Sequence, residues 1–236
     1  MISRSFLTGL LTRIAAASRT VTAICGFALL ATLTTQSIAA DDTEITHSFL
    51  GVGKANRTVI VGEDGKVQWK LDMPASDGWV LSNGNVLLAL YGTPEFPNGG
   101  AIEVERESKK IVFQYKGQQK ETSTVQLLSD DRFLVTELGP QPRALVIDRQ
   151  GKVILTTPLQ CQTGNAHMQT RMLRVLPNGN YIAPHLLDFA VKEYEPETGK
   201  VVRSFPTDDR GREKRDWPFT AIRLADGKTL IGCTNG

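Results

Sequence analysis

The sequence predicts an all-β chain, a β-propeller of four-stranded antiparallel blades. Three observations carry that prediction. A turn recurs as Asn83-Gly84, Asp130-Asp131, Asn178-Gly179 and Asp226-Gly227, at intervals of 47, 48 and 48 residues. Matching strand pairs flank it: WVLSNGNVLLAL, VQLLSDDRFLVTEL, MLRVLPNGNYIAP and AIRLADGKTLIGC. A second hairpin recurs beside the first, in TVIVGEDGKVQWKL, AIEVERESKKIVFQY, ALVIDRQGKVILTT and VKEYEPETGKVVRSF. Two hairpins per period make four strands, and that period fits a propeller blade. Helical repeats do not fit, because no apolar i, i+3, i+4 stripe follows residue 40.

The unit 171–205 is the clearest. Its strands are 172–176, 180–184, 190–195 and 200–205, joined by Asn178-Gly179 and by Pro196-Glu197-Thr198-Gly199. Asn-Gly between apolar alternations predicts a type I′ turn, with φ > 0 at both central residues. Such a sheet cannot bury both faces alone, so it needs blades of its own kind on either side.

The chain begins with a segment that reads as a signal peptide. Arg4, Arg13 and Arg19 precede the first acid, Asp41. An apolar core at 21–33 follows, and Ser37 and Ala39 supply the small residues of a cleavage site. That core falls short of the roughly 20 residues a membrane span needs. We therefore expect cleavage of 1–39, no membrane span afterwards, and a periplasmic or secreted location.

From 45 onward the chain reads as one propeller domain: a half blade at 45–72, blades at 77–116, 122–158 and 171–205, and a half blade at 219–236. SFLGVG near the start matches TLIGCT near the end, so one second strand is surplus to a closed four-bladed ring. About four blades are visible, and the surplus predicts an incomplete ring, a fragment of a longer propeller of roughly six to eight blades.

Charge and cysteine exclude several classes. Without the leader, the 27 Lys and Arg fall to 24, against 25 Asp and Glu. No basic field remains for nucleic acid. Only Cys161 and Cys233 survive cleavage, too few for a disulfide framework, and the sequence leaves open whether they pair. There is no CxxC, HExxH, GxSxG or phosphate-binding loop, and no metal site is expected.

Some of these hairpins resemble the pyrroloquinoline-quinone (PQQ) repeat. The residues that carry the likeness are Ala144, Asp148, Gly151 and Lys152; Tyr194, Thr198, Gly199, Lys200 and Phe205; and Asp64, Gly65, Lys66 and Trp69. The unit LPNGNYIAPHLLDFAVKEYEPETGKVV is similar to secreted bacterial propellers of the quinoprotein alcohol dehydrogenase-like and arylsulfotransferase-like groups. The resemblance implies a propeller over 45–236. It does not imply a quinone, because the adjacent cysteine pair of the quinone dehydrogenases is missing. No cofactor is expected, PQQ included.

In a propeller the connections between strands two and three, and from strand four to the next blade, share one face. Here that face collects the long loops 91–100, 139–143, 159–170, 185–189 and 206–218. Long loops on a rigid scaffold are where binding and catalysis concentrate. The catalytic candidates are His167, His185, Asp188 and Arg171, read as one small polar site because a histidine beside a carboxylate can serve as an oriented base. The ligand-binding candidates are Trp79, Tyr91, Arg143 and Trp217, with both tryptophans placed on the loop face. Arg210–Asp216 could form an anion-binding lid. The leading expectation is a scaffold that binds a protein or small molecule through the loop face, similar to periplasmic propellers that assist outer-membrane assembly. The alternative is a secreted enzyme, arylsulfotransferase-like or sugar-active, using a loop-face histidine.

Overall fold

A computed structural model describes residues 47–55, 57–207 and 217–234. The leader at 1–39 and the basic loop at 210–216 lie outside the described residues. The rest forms successive antiparallel sheets, each built from consecutive strands. Blade 1 holds β1 (Phe49–Gly51), β2 (Thr58–Val61) and β3 (Val67–Leu71). Blade 2 holds β4 (Ala75–Val80), β5 (Val86–Leu90), β6 (Gly100–Val104) and β7 (Ile111–Lys116). Blade 3 holds β8 (Glu121–Leu127), β9 (Phe133–Leu138), β10 (Arg143–Ile147) and β11 (Val153–Pro158). Blade 4 holds β12 (Arg174–Val175), β13 (Tyr181–His185), β14 (Ala190–Tyr194) and β15 (Val201–Pro206). Blade 5 holds β16 (Pro218–Arg223) and β17 (Thr229–Cys233). The first strand of blade 2 therefore starts two residues earlier than the sequence pattern suggests.

Side-chain alternation builds the core. On β5, Val86, Leu88 and Leu90 join Ile60 and Trp69 of blade 1 in one apolar cluster. Leu87 and Ala89, on the opposite face, join Val125, Phe133 and Val135 of blade 3. β5 is thus apolar on both faces and buried throughout, while β7 exposes alternate residues and β15 is largely exposed. The Phe113 and Phe133 rings stack across one such interface, 3.9 Å apart. Each fully buried leucine or phenylalanine contributes about 1.5–3 kcal/mol.

Buried charges also join neighbouring blades. Glu103 on β6 accepts from Asn85 of its own blade and from Arg149 of blade 3, each at 2.7 Å. Glu193 on β14 repeats the device, accepting from Asn180 at 2.8 Å and from Arg223 of blade 5 at 3.0 Å. The position equivalent to Glu103 in blade 3 is Val146, so the device skips one blade.

The Asn-Gly turns correct one expectation. Gly84, Gly179 and Gly227 have φ near +85°, but Asn83, Asn178 and Asp226 do not take positive φ. The turn is therefore not type I′. Gly84 N donates to Leu81 O, and Leu81 N donates to Asn85 O. That is a three-residue loop, a type I turn closed by a left-handed residue. The Asn83 carboxamide oxygen accepts from Asn85 N at 3.0 Å, which favours this loop over the two-residue one. In blade 3, Asp131 takes the left-handed position at φ 62° without being glycine.

First strands are innermost. Trp79 Nε1 on β4 donates to Val125 O on β8, and Leu173 N, just before β12, donates to Thr124 Oγ1 on β8. Asp77 on β4 and Arg174 on β12, two blades apart, form a bidentate ion pair with both contacts at 2.8 Å. The inner ends of blades 2, 3 and 4 thus meet on the axis.

Candidate functional site

Four blades contribute side chains to one polar cluster on the loop face, called the cup below. Lys54 comes from the β1–β2 connection, and Tyr91 directly follows β5. Glu121 is the first residue of β8. His167 lies in a single 3-10 turn, Ala166–Met168, between β11 and β12, and Arg171 follows it. That segment is pinned by Gln169, whose buried side-chain amide exchanges two hydrogen bonds with the Gly139 backbone at 2.9 and 2.8 Å.

The floor of the cup is an ion pair. Arg171 donates to Glu121 Oε1 at 3.0 Å, and their side chains are only 4% and 14% exposed. Burial draws the guanidinium below its ordinary pKa, and Glu121 opposes that shift. Arg171 also donates to the carbonyls of Thr170 and His167.

His167 forms the wall. Its Nδ1 is 3.0 Å from Glu121 Oε2. Its Nε2 is 3.3 Å from the Lys54 ammonium, which can only donate. Nε2 therefore accepts from Lys54, while Nδ1 lies between Glu121, which can only accept, and the Arg171 guanidinium at 2.6 Å, which can only donate. The His167 side chain is 43% exposed. The Lys54 ammonium also sits 5.2 Å from the centre of the Tyr91 ring, within cation–π range. Tyr91 is half-buried, and that burial raises its hydroxyl pKa, with Glu121 adding to the shift and Arg171 opposing it.

His185 and Asp188 belong to a separate cluster, so the expected quartet divides in two. His185 ends β13 rather than sitting in a loop, and its side chain is 0% exposed. Gln160 N donates to the Tyr194 hydroxyl at 3.2 Å, which leaves the hydroxyl proton for His185 Nε2 at 2.9 Å. Nδ1 lies 3.4 Å from Cys161 Sγ and 4.0 Å from Asp188 Oδ2. Asp188 is engaged by Lys192 at 2.5 Å and by Gln162 N at 3.0 Å. Burial pushes the His185 pKa down; the Lys192 charge adds to this and Asp188 opposes it. The Cys161 thiol is pushed up to about 12 by burial, with Asp188 adding to the shift. Thiol and carboxylate face the same histidine nitrogen, so they do not form a nucleophile–base–orienter chain. Cys161 is a thiol and not half of a disulfide.

The other candidates scatter. Arg143 opens β10 and is held by the buried Glu137 at 2.7 Å, which also accepts from the Tyr115 hydroxyl at 2.8 Å. Trp217 directly precedes β16, on the loop side. Trp79 is the penultimate residue of β4, next to the tight turn, so the two tryptophans lie at opposite ends of inner strands. The expected shared face fails because β4 begins at Ala75, which carries Trp79 toward the far end. There Trp79 lies under the Arg174 guanidinium at 4.9 Å and lines a cavity of about 420 Å³ with Gln126 and Ile222. Sequence reasoning missed Lys54 and Glu121. Both sit where connections reach the loop face, and that position was the available signal.

No family model matches the chain, and no curated protein matches it. Solved structures do. A protein of unknown function from Bacteroides caccae aligns with a TM-score of 0.65 at 20% identity, covering 80% of this chain and 65% of that one. The WD40 β-propeller domain of Doa1 aligns at 0.58 and 12%, covering 80% and 58%. The chain has a β-propeller fold. A catalytically inactive variant of virginiamycin B lyase from Staphylococcus aureus, with one histidine replaced by alanine and quinupristin present, aligns at 0.53 and 14%, covering 80% and 64%. This chain spans less than two thirds of the length of each. At these identities the likeness shows the fold alone. Among the described residues no group of His, Cys, Asp and Glu could hold a metal ion, and no helix is long and apolar enough to cross a membrane.

Proposed function

We propose that this propeller is a binding module whose ligand occupies the loop-face cup of Lys54, Tyr91, Glu121, His167 and Arg171. One observation carries the reading. Side chains from four blades converge on a cup whose buried ion-paired floor is overlain by a partly exposed histidine. A buried ion pair does little for stability by itself, whereas a preformed polar floor under an open rim is how binding sites gain orientation. The leader segment supports a periplasmic or secreted location, and the hairpin resemblance supports a place among PQQ-repeat-like propellers that carry no quinone.

The test is a small-molecule screen by thermal shift and heteronuclear NMR on the whole chain and on His167→Ala. Hits that perturb cup resonances and weaken about tenfold or more in the variant support the reading, by analogy with the loss of a charge-assisted contact. Hits that map only to the Trp79 cavity overturn it.

A second reading, a secreted enzyme, is favoured by the His167–Glu121 dyad. Glu121 Oε2 lies 3.0 Å from His167 Nδ1, within reach to orient the ring as a base. The histidine-to-alanine inactivation of a lyase on the same fold adds to it. Turnover of sulfate-ester, lactone or glycoside substrates that vanishes in His167→Ala and persists in His185→Ala would favour this reading over simple binding.

A further inference from the structure

We propose that the cup selects a small organic monoanion, a carboxylate, which it holds through the Lys54 ammonium and the Tyr91 hydroxyl. This rests on the reading of the cup as the ligand site.

The argument is an account of donors and acceptors. Glu121 Oε1 is taken by Arg171, and Oε2 by His167. His167 Nε2 accepts from Lys54. The carbonyls of His167 and Thr170 both accept from Arg171. Each of these acceptor atoms therefore already faces at least one internal donor. Donors remain. A lysine ammonium has three N–H groups, and Lys54 directs one of them at His167. The Tyr91 hydroxyl makes no hydrogen bond among the described residues. Its neighbour the Lys54 ammonium is 5.2 Å from the ring centre, so the two side chains lie together.

Charge points the same way. Arg171 and Glu121 neutralise each other at the floor, while Lys54 has no carboxylate partner among the described residues. One positive charge is left over. A ligand that offers acceptors and one negative charge completes both accounts. A neutral hydroxyl compound satisfies only the first, and a cation satisfies neither. The ring face of Tyr91, held under the ammonium, leaves apolar area beside the charge, which suits an organic carboxylate better than an inorganic anion.

The experiment uses the full chain and matched pairs: acetate, benzoate and phenylacetate, each against its own amide, titrated at near-physiological salt and followed by NMR. The expected result is that at least one carboxylate shifts cup resonances and binds about tenfold or more tightly than its amide, the size of a charge-assisted contact. Lys54→Gln should abolish that preference, and Tyr91→Phe should weaken the carboxylate about tenfold, the loss of one charge-assisted hydrogen bond. Both side chains reach solvent, so neither variant threatens the fold. Equal affinities for acid and amide at the cup, or a preference that survives Lys54→Gln, overturn the anion assignment and leave the cup as ligand site. Absence of any cup shift across the panel overturns the anion assignment. If the broader screen is also silent at the cup, the binding reading falls with it.

Discussion

Two histidine clusters lie on the same side of blade 4, built from the same residue types, and they are opposites. His167 is open to solvent on one edge and meets Glu121 and Lys54 from other blades. His185 is sealed, and its partners Tyr194, Asp188 and Cys161 come from its own blade and the connection that leads into it. The first cluster has a spare ammonium. In the second, Asp188 and Lys192 satisfy each other and the histidine is held neutral. A histidine beside an aspartate is therefore no guide to function until exposure and the origin of its partners are known.

This contrast can be tested by removing its parts, the greatest loss first. Asp188→Ala should destabilise the chain by about 3–5 kcal/mol, because it leaves the Lys192 ammonium largely buried without its carboxylate; urea unfolding would report it. If the loss is under about 1 kcal/mol, the His185 cluster is not the core element described.

The next effect is one of pH. His185 binds its proton less readily folded than unfolded, since burial lowers its pKa from 6.5. Between those two values the unfolded chain holds more protons, so stability rises with pH. It is complete above about pH 7 and drains away as pH falls below about 6.5, by about 2 kcal/mol at pH 5. His185→Gln should flatten that window relative to the parent. His167→Gln should not, and a flattening there would merge the two clusters.

A smaller difference concerns reactivity. The Cys161 thiol, raised to about 12, should alkylate with iodoacetamide at least about a hundredfold more slowly at neutral pH than in urea, because the thiolate is the nucleophile. The smallest stability effect belongs to the cup. His167→Ala should change the unfolding free energy by less than about 1 kcal/mol, as partly exposed ion pairs contribute little, while weakening cup ligands about tenfold. A large loss of stability without a loss of binding would reverse the assignment of the two histidines.

How much of this was readable before the structure follows from the physics of each feature. The blades were readable because alternation and turn residues are local: Val86, Leu88 and Leu90 against Leu87 and Ala89 announce a strand buried on both faces. The form of the turns was not, since Asn-Gly permits two loop lengths and hydrogen bonding around Leu81 decides between them. His167, Arg171 and Tyr91 were found because they sit on loop-face connections. Lys54 and Glu121 were missed because their importance arises from partners over 40 residues away in sequence, which no local pattern records. Trp79 was misplaced by a two-residue error in where β4 begins, enough to move a side chain toward the other end of a short strand.

The Asp77–Arg174 pair has a consequence for the order of assembly. Contacts between the inner strands of adjacent blades join residues 46 to 49 apart in sequence, as in Trp79 with Val125 and Leu173 with Thr124. This pair joins residues 97 apart and steps over a whole blade. Doubling a loop adds only about 0.6 kcal/mol of closure entropy, so the cost lies in time rather than in free energy. At about 5–20 residues per second of synthesis, Asp77 waits on the order of 5–20 s for its arginine. During that interval blades 2 and 3 must hold a carboxylate at their inner edge with Val125 N and Gly78 N as its donors. An array of units that mostly grip their neighbours thus acquires a fastener set late, one that ties blade 2 to blade 4 across the blade between them.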